Sequence, residues 1–104
     1  MEITDELITE VRALLPKNLA FVKYFVISPD DTIRIGSGAY RMNDAGKIIP
    51  ENMDKEYMRT ILMHIHKKDS TIGLMDAIFI THTIYTSLIN NLADEKITIE
   101  DFIF

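Results

Sequence analysis

The residues of this chain that could carry metal or hydrolytic chemistry lie close together in its second half: His64, His66, Ser70, Asp76 and His82. Imidazole and carboxylate groups bind Zn²⁺, and a bound Zn²⁺ ion can activate a water molecule for hydrolysis. On a helix, however, two residues at the spacing of His64 and His66 point about 200° apart, and helical zinc pairs use the spacing i, i+4. Because residues 53–65 have helical periodicity, we expect these two histidines to point away from each other and to bind no metal.

The order of these residues is similar to the His-x-His and Ser-x-x-Asp motif of the JAMM-type zinc hydrolases. The spacing differs, because Ser70 follows His66 too closely and Asp76 follows Ser70 too late for that motif. No upstream glutamate is recognisable as the acid/base. We therefore predict no catalytic residue, no metal and no cofactor. A small metal-dependent hydrolase that uses His64 and His66 is the alternative.

The composition sets the broad class of the protein. The chain has 104 residues and no cysteine, which predicts one domain and excludes disulfide frameworks, thiolate zinc sites and cysteine nucleophiles. The start of the sequence is acidic and lacks the basic and apolar regions of a secretory signal. Polar residues interrupt the most apolar segment, whereas a membrane span needs about 20 predominantly apolar residues. We therefore expect a protein of the cytoplasm that does not contact membranes.

The charges are unevenly distributed, and both ends of the chain are acidic. The net charge is −5; residues 1–16 contain four acidic residues and one basic residue, and so do residues 94–104. No basic stripe of the kind that binds nucleic acid is present, so no nucleic-acid partner is expected. Acidic ends can be an ordinary solvated surface or a surface that docks on a basic protein. The acidic candidates for partner binding are Glu2, Asp5, Glu6, Glu10, Asp94, Glu95, Glu100 and Asp101.

The C-terminal tail is unusually apolar for a chain end. Chain ends fray unless they dock, and large apolar side chains are rarely left in water, so the tail should pack on its own core or on a partner. Phe102 and Phe104 are therefore further candidates for partner binding. Residues 96–99 alternate like a short edge strand, whereas Thr98 and Asp101 have the spacing of a capping box that opens a helical turn. The sequence leaves both structures open.

Residues 70–92 form the apolar element around which the rest of the chain is expected to fold. Their β-branched residues favour a strand, but the segment is far longer than a typical strand of about 5–6 residues. Read with a helical period, it has one apolar stripe: Leu74, Ile78, Thr81, Tyr85, Leu88 and Leu92, widened by Ile72, Met75, Phe79 and Ile89. The polar residues gather roughly opposite: Gly73, Asp76, Thr83, Ser87, Asn90 and Asn91. We predict a largely buried helix that is capped by Asp69 or Ser70.

Two further helices are predicted from apolar stripes and capping residues. The first begins after Thr4 and extends to about Leu15. The second covers residues 53–68 and is capped by Asn52. The short link between it and the following helix predicts that the two are antiparallel neighbours.

Three strands are predicted between these helices. Alternating apolar residues predict a strand over residues 19–28, and the turn at 29–31 should lead into a second strand. That second strand covers residues 32–42 and is interrupted by a Gly-Ser-Gly bulge. A third strand is predicted over residues 47–49, with Pro50 ending it.

Together these elements predict an α+β domain with an N-terminal helix, an antiparallel three-stranded meander, a helical hairpin packed on the sheet and a short C-terminal strand or turn. No set of nucleophile, base and orienting group is recognisable, so a non-catalytic binding protein is favoured. A small, acidic, cysteine-free domain suits an inhibitor, such as an immunity protein or antitoxin that shields a basic toxin or nuclease. A phage-encoded inhibitor of a host defence would have the same features. A homo-oligomeric adaptor that associates through the C-terminal tail is the third possibility.

Overall fold

A three-stranded antiparallel sheet with helices on one face organises the fold. A computed structural model describes residues 1–26, 29–31, 35–94 and 96–103 of the chain. Its elements are α1 (Asp5–Ala13), β1 (Leu19–Val22), a 3₁₀ turn (Pro29–Asp31), β2 (Gly38–Met42), β3 (Ile48–Asn52), α2 (Asp54–Lys68), α3 (Leu74–Leu92) and a second 3₁₀ turn (Ile99–Asp101). The strand order in the sheet is β1-β2-β3. The predicted architecture of a helix, a meander and a helical hairpin on the sheet is confirmed.

The first helix begins where the sequence predicts. The Thr4 side chain accepts a hydrogen bond from the Leu7 N–H at 3.1 Å, which satisfies one of the donors left unpaired at a helix start. The helix ends at Ala13, earlier than predicted, and the Leu14 side chain is 44% exposed. Pro16 disfavours the helical conformation of the residue before it, which shortens the helix at this end.

The first strand pairs with the segment that follows the Gly-Ser-Gly sequence. β1 runs antiparallel to β2, with Leu19 opposite Arg41 and Val22 opposite Gly38. Gly38 has a φ of 156°, and a Cβ at this position would lie 2.8 Å from the Asp54 side chain. Glycine is therefore needed here both for the backbone conformation and for the close approach of α2.

The prediction of one long strand over residues 19–28 is wrong. Residues 23–26 lie outside any strand, and residues 27–28 lie outside the described part of the chain. Of the predicted partner strand, residues 32–34 also lie outside the described part, and Ile35 is buried without belonging to a strand. Alternation located the start of β1 correctly, but it does not identify the pairing partner, which depends on a segment further along the chain.

The third strand continues through Pro50, where the sequence predicts its end. β3 covers Ile48–Asn52 and is an edge strand. Its register with β2 shifts so that residues 49–51 face a single residue, Arg41. Proline is tolerated at such a bulge on an edge strand, because no hydrogen bond of the ladder requires its missing N–H.

Different parts of the chain cover the two faces of the sheet, in keeping with the alternation of side chains along a strand. The face that packs with the helices carries Leu19, Phe21 and Ala39. The opposite face forms a second core cluster from Ala20, Val22, Ile35, Tyr40, Ile48 and Phe102. The ring of Phe25 also lies against that of Phe102, with 4.7 Å between the centroids. The C-terminal segment therefore covers the face of the sheet that the helices leave open.

Of the two structures left open for the C-terminal segment, the helical turn is the one present. Thr98 and Asp101 form the capping box, with the Thr98 N–H donating to Asp101 Oδ2 at 2.7 Å. An isolated parallel β-bridge then joins Phe102 to Ile48. Phe102 is 6% exposed, so the tail packs on the domain's own core up to this residue, while Phe104 lies outside the described residues.

Both long helices begin later than the sequence predicts. The N-cap of α2 is Met53, which makes no side-chain capping hydrogen bond, so the predicted cap at Asn52 is wrong, although Asn52 Oδ1 accepts a hydrogen bond from the Asp54 N–H at 2.8 Å. The predicted cap of α3 at Asp69 or Ser70 is wrong, because α3 begins after Gly73. The Asp69 side chain instead accepts hydrogen bonds from the N–H and hydroxyl of Thr71, at 3.1 and 2.6 Å, and so shapes the link between the helices.

The third helix is buried along its second half and widely exposed along its first. Its buried residues are Ala77, Ile80, Thr81, Ile84, Tyr85, Leu88 and Ile89. The predicted stripe is therefore correct in the second half, but it is wrong at Leu74 and Ile78, which are 68% and 46% exposed. Met75 and Phe79 are even more exposed than Ile78. In the described part of the chain, no helix combines the length and the hydropathy needed to cross a membrane.

One side of α3 is covered in its second half but not at its start. Ile78 precedes Tyr85 and Ile89 by about two and three helical turns, so all three lie on the same side of the helix. Tyr85 and Ile89 are buried on this side, whereas Ile78 is not. On this side of α3 the cover therefore ends before Ile78, although Ala77 and Ile80, on another side, are buried. The helical periodicity of the sequence shows which side of α3 faces the core, but it does not show how far along the helix the elements packed on that side extend.

Candidate functional site

The N-terminal acidic residues lie beside the exposed start of α3. Glu2 precedes α1 and lines a groove together with Asp76, which belongs to the first turn of α3. Asp5 and Glu6 are exposed in the first turn of α1, where the helix dipole favours negative charge. Glu2, Asp5 and Glu6 thus share one end of the molecule with Asp76, a carboxylate that was not among the predicted binding residues.

The groove between the N-terminal segment and α3 combines an apolar lining with two carboxylates. It is lined by Met1, Glu2, Ile3, Ile72, Asp76, Phe79 and Ile80. Phe79 is 69% exposed and forms the outer wall, whereas Ile80 is buried. The described residues of this lining include no basic side chain. A complementary group would therefore place an apolar side chain in the groove and a positive charge beside it.

The exposed side of α3 changes from apolar to polar along the helix. Met75 and Phe79 lie on the same side as Thr86 and Asn90, since their spacings are close to whole numbers of turns. All four side chains are exposed. A solvated helix face needs no large apolar residues, so the apolar start of α3 is the unusual part, and patches of this kind are typical of interaction sites.

Glu10 differs from the other N-terminal carboxylates because it is paired within the chain. Its two carboxylate oxygens accept hydrogen bonds from Lys68 Nζ at 2.7 and 2.9 Å, and Oε2 lies 3.1 Å from His64 Nε2. The hydrogen bonds from Lys68 and then His64 lower the pKa of Glu10. These contacts fasten α1 to the end of α2. Glu10 therefore positions the N-terminal segment, and it is less free to meet a partner than Glu2.

Several of the C-terminal acidic candidates also have contacts within the chain. Asp101 belongs to the capping box, and Asp94 Oδ1 accepts a hydrogen bond from the Lys96 N–H at 2.9 Å. Glu100 is exposed. Glu95 lies outside the described residues. These hydrogen bonds orient the carboxylates of Asp94 and Asp101 toward the local backbone. The C-terminal end therefore offers a partner fewer free carboxylates than its sequence indicates.

The two acidic ends of the chain are far apart in the fold. Asp76, beside Glu2, lies in the first turn of α3, and Asp94 follows the last turn. At 1.5 Å per residue this separation is about 27 Å along the helix. A single basic patch on a partner would therefore meet one end or the other.

The three histidines have different surroundings. His64 contacts Glu10, whereas His66 lines a second groove between α2 and α3 with Lys67 as its neighbour. His82 is exposed on α3. Among the residues that the structure describes, no three His, Asp or Glu side chains are grouped so that they could hold a metal ion.

A buried polar contact that the sequence analysis did not identify joins the sheet to both long helices. The Tyr85 hydroxyl donates a hydrogen bond to Asp54 Oδ1, and the same oxygen accepts the Ala39 N–H at 3.1 Å. Burial, and then the hydrogen bond to Asp54, raises the pKa of Tyr85. Tyr85 therefore remains a neutral donor, and its contact with Asp54 serves to fix α3 on α2 and β2.

In comparisons with known proteins, no family model, no curated protein and no solved structure matched the chain. Any proposal on function therefore rests on the geometry and charge of the residues described above.

The sequence contains a signal for the exposed start of α3 that the sequence analysis did not use. Residues 74–79 are apolar on nearly every side of the helix, whereas residues 80–92 are apolar mainly on one side. A helix covered on one face needs only one apolar stripe. The second stripe, through Met75 and Phe79, is the part of the helix that remains exposed.

Proposed function

We propose that this chain is a non-catalytic inhibitor that binds and neutralises a basic protein, such as a toxin or a nuclease, in the manner of an immunity protein or an antitoxin. The observation that carries the proposal is the exposed apolar start of α3 beside the carboxylates of Glu2 and Asp76. Apolar burial would supply affinity, and complementary charge would raise the association rate. Such an inhibitor would act in the cytoplasm, where it meets its target before the target can do harm.

A binding role is favoured over catalysis because the carboxylates of Asp54 and Glu10 take part in contacts that hold the fold together. Asp54 accepts two hydrogen bonds that join α2 to Tyr85 and to the Ala39 N–H. Glu10 is paired with Lys68 and His64 across two helices. Catalysis by a carboxylate needs a group that can reach a substrate, and these two carboxylates are already engaged. The proposal requires no nucleic acid and no membrane.

The N-terminal end is favoured over the C-terminal end as the docking site. At the N-terminal end, Glu2 and Asp76 flank exposed apolar side chains such as Phe79. At the C-terminal end, the large apolar side chain of Phe102 is buried in the chain's own core. Ile99 and Ile103 are exposed at the C-terminal end as well, but less than Phe79. The N-terminal end therefore offers the more exposed apolar surface beside its charges, and hot spots of binding need the apolar part.

The test purifies the full-length tagged chain from the cells that produce it and identifies any stoichiometric partner. We expect a basic protein that arrests growth or cleaves nucleic acid when it is expressed alone and that is inactive when coexpressed with the chain. Phe79→Asp should abolish protection, whereas Asn90→Asp, on the same side of α3, should retain it. A partner that remains fully active in the complex would contradict the proposal, and so would full protection by Phe79→Asp.

A further inference from the structure

We infer, building on the proposed function, that the basic partner contributes an amphipathic helix to the groove between the N-terminal segment and α3. The apolar side of that helix would pack against Phe79 and Ile72, and its lysine or arginine residues would pair with Glu2 and Asp76. This assignment names the kind of element that binds and the two carboxylates that select its charge.

The spacing of the exposed residues on α3 indicates a helix as the occupant. Met75 and Phe79 are four residues apart and form a ridge along α3 on the side of the groove, whereas Leu74 and Ile78 form a second ridge on another side of the helix. All four side chains are exposed. Ridges at this spacing fit into the groove of a second helix, and an amphipathic helix supplies matching anchors at i, i+3 and i+4.

An incoming β-strand is a poorer fit, because the sheet edges are engaged elsewhere. On β1, the Phe21 carbonyl accepts a hydrogen bond from the Asp94 N–H at 3.1 Å. On β3, the Ile48 carbonyl accepts one from the Ile103 N–H at 2.8 Å. These contacts come from the segment that follows α3, whereas the groove lies at the start of α3. Strand addition needs an open edge, and the groove is formed by a helix and an extended segment.

A second copy of the chain is also a poorer fit than a basic helix. The charged side chains that line the groove are Glu2 and Asp76, both acidic, and Met1, with its α-amino group, is the one residue of the lining that carries a positive charge. In a twofold contact centred on this groove, the same carboxylates would face each other across the interface. Like charges placed together oppose association, and the net charge of −5 adds to the repulsion. The groove therefore favours a partner of opposite charge.

The test places the photocrosslinker p-benzoylphenylalanine at Met75, beside the groove, in the full-length chain. A matched chain carries it at Asn90, on the same side of α3 about four turns later. We expect crosslinks from position 75 to a partner segment that contains lysine or arginine, and few crosslinks from position 90. That segment, synthesised as a peptide, should gain helical circular dichroism when it binds the chain. Crosslinking of position 75 to a second copy of the chain, or to a segment without basic residues, would overturn the inference.

Charge reversal provides the second arm of the test. Glu2→Lys combined with Asp76→Lys should weaken binding of the peptide by about tenfold or more, as expected for two close charge pairs. Asp94→Lys combined with Glu100→Lys makes the same change in net charge and should alter binding less than about twofold. Circular dichroism melts establish that both variants are folded. Equal weakening by both pairs would overturn the inference.

The two proposals fail in different ways. A partner that is neutralised but crosslinks from position 90 would leave the inhibitor function in place and overturn the helix in the groove. A basic helix that crosslinks from position 75 but belongs to a partner that stays active would support the groove assignment and overturn the inhibitor function.

Discussion

Ile78 and Ile84 lie on the same helix, yet Ile78 is 46% exposed and Ile84 is completely buried. The residues are chemically identical, and the helix continues unbroken between them. Six residues along a helix turn the side chain by about 120°, so Ile84 lies on the buried side of α3, whereas Ile78 lies on a side that is covered only further along, at Tyr85 and Ile89. This contrast separates the part of α3 that supports the fold from the part proposed to bind a partner.

Substitution of each isoleucine by alanine should have very different effects on stability. Ile84→Ala removes buried methylene and methyl groups and leaves a cavity, so it should lower the free energy of unfolding by about 2–5 kcal/mol. Ile78→Ala should cost less than about 1 kcal/mol, since its side chain is partly in water already. Urea denaturation of the two variants measures both values. Equal losses of stability would mean that Ile78 is covered as fully as Ile84.

The hydrogen bond from Tyr85 to Asp54 should contribute to stability and to its dependence on alkaline pH. Tyr85→Phe keeps the ring and removes the donor, and it should cost about 1–2 kcal/mol. In the folded protein the pKa of Tyr85 is raised above its ordinary value of 10.0, so the neutral form is favoured by folding. Stability should therefore be unaffected by this group below that value and should decline as the pH rises above it.

The measurement is the urea midpoint of both proteins at a series of alkaline pH values. The wild type should lose more stability than Tyr85→Phe as the pH rises. Some decline should persist in the variant, because burial and then Glu56 raise the pKa of Tyr57 as well. Parallel curves for the two proteins would show that Tyr85 ionises equally easily in the folded and unfolded chains.

Gly38 should be much less tolerant of substitution than Gly36. A Cβ at Gly38 would lie 2.8 Å from Asp54 Oδ1, whereas a Cβ at Gly36 would have no neighbour within 4 Å. Gly38 also has a φ of 156°, which side chains rarely permit. Gly38→Ala should therefore cost about 1–3 kcal/mol, and Gly36→Ala less than about 1 kcal/mol. Thermal melts of the two variants test this, and an equally stable Gly38→Ala would contradict the tight contact with Asp54.

The ion pairs of Glu10 should stabilise the protein at neutral pH and weaken in acid. Lys68 and His64 lower the pKa of Glu10 below its ordinary value of 4.5, so the ionised form is favoured by folding. Its contribution is complete above that value and is lost as the pH falls through the lower, folded-state pKa. The wild type should therefore lose more stability in acid than Glu10→Gln does. Glu6→Gln, at an exposed position, serves as the control and should follow the wild type.

The sequence predicted the elements of the fold better than their limits. Thr4 was identified as a capping residue because its side chain acts on the adjacent backbone, which a local pattern can reveal. Pro50 was misread as the end of β3, because its tolerance depends on a bulge opposite Arg41. Likewise, the sequence keeps alternating after Val22, but the strand ends there, because the later residues are not paired in the sheet. Pairing between distant segments decides both cases.

The candidate site was predicted in part. The acidic character of the N-terminal end was evident from Glu2 and its neighbours in the sequence. The contribution of Asp76 was not, because it is distant in the chain and reaches the same groove through folding. Phe79 was assigned to the core, because periodicity reports the side of a helix and not the reach of its covering layer. The pairing of Glu10 with Lys68 likewise depends on the packing of α1 against α2.

The association rate with the captured partner, measured against salt concentration, tests the central claim most directly. The comparison uses the wild type, the Glu2→Lys and Asp76→Lys double variant, and the Asp94→Lys and Glu100→Lys double variant. Complementary charge raises the association rate, and salt screens it over a Debye length of about 8 Å at physiological ionic strength. We predict that the first double variant associates more slowly, with a flatter salt dependence, while the second stays close to the wild type. An unchanged rate in the first double variant, or a loss confined to the second, would contradict docking at the start of α3.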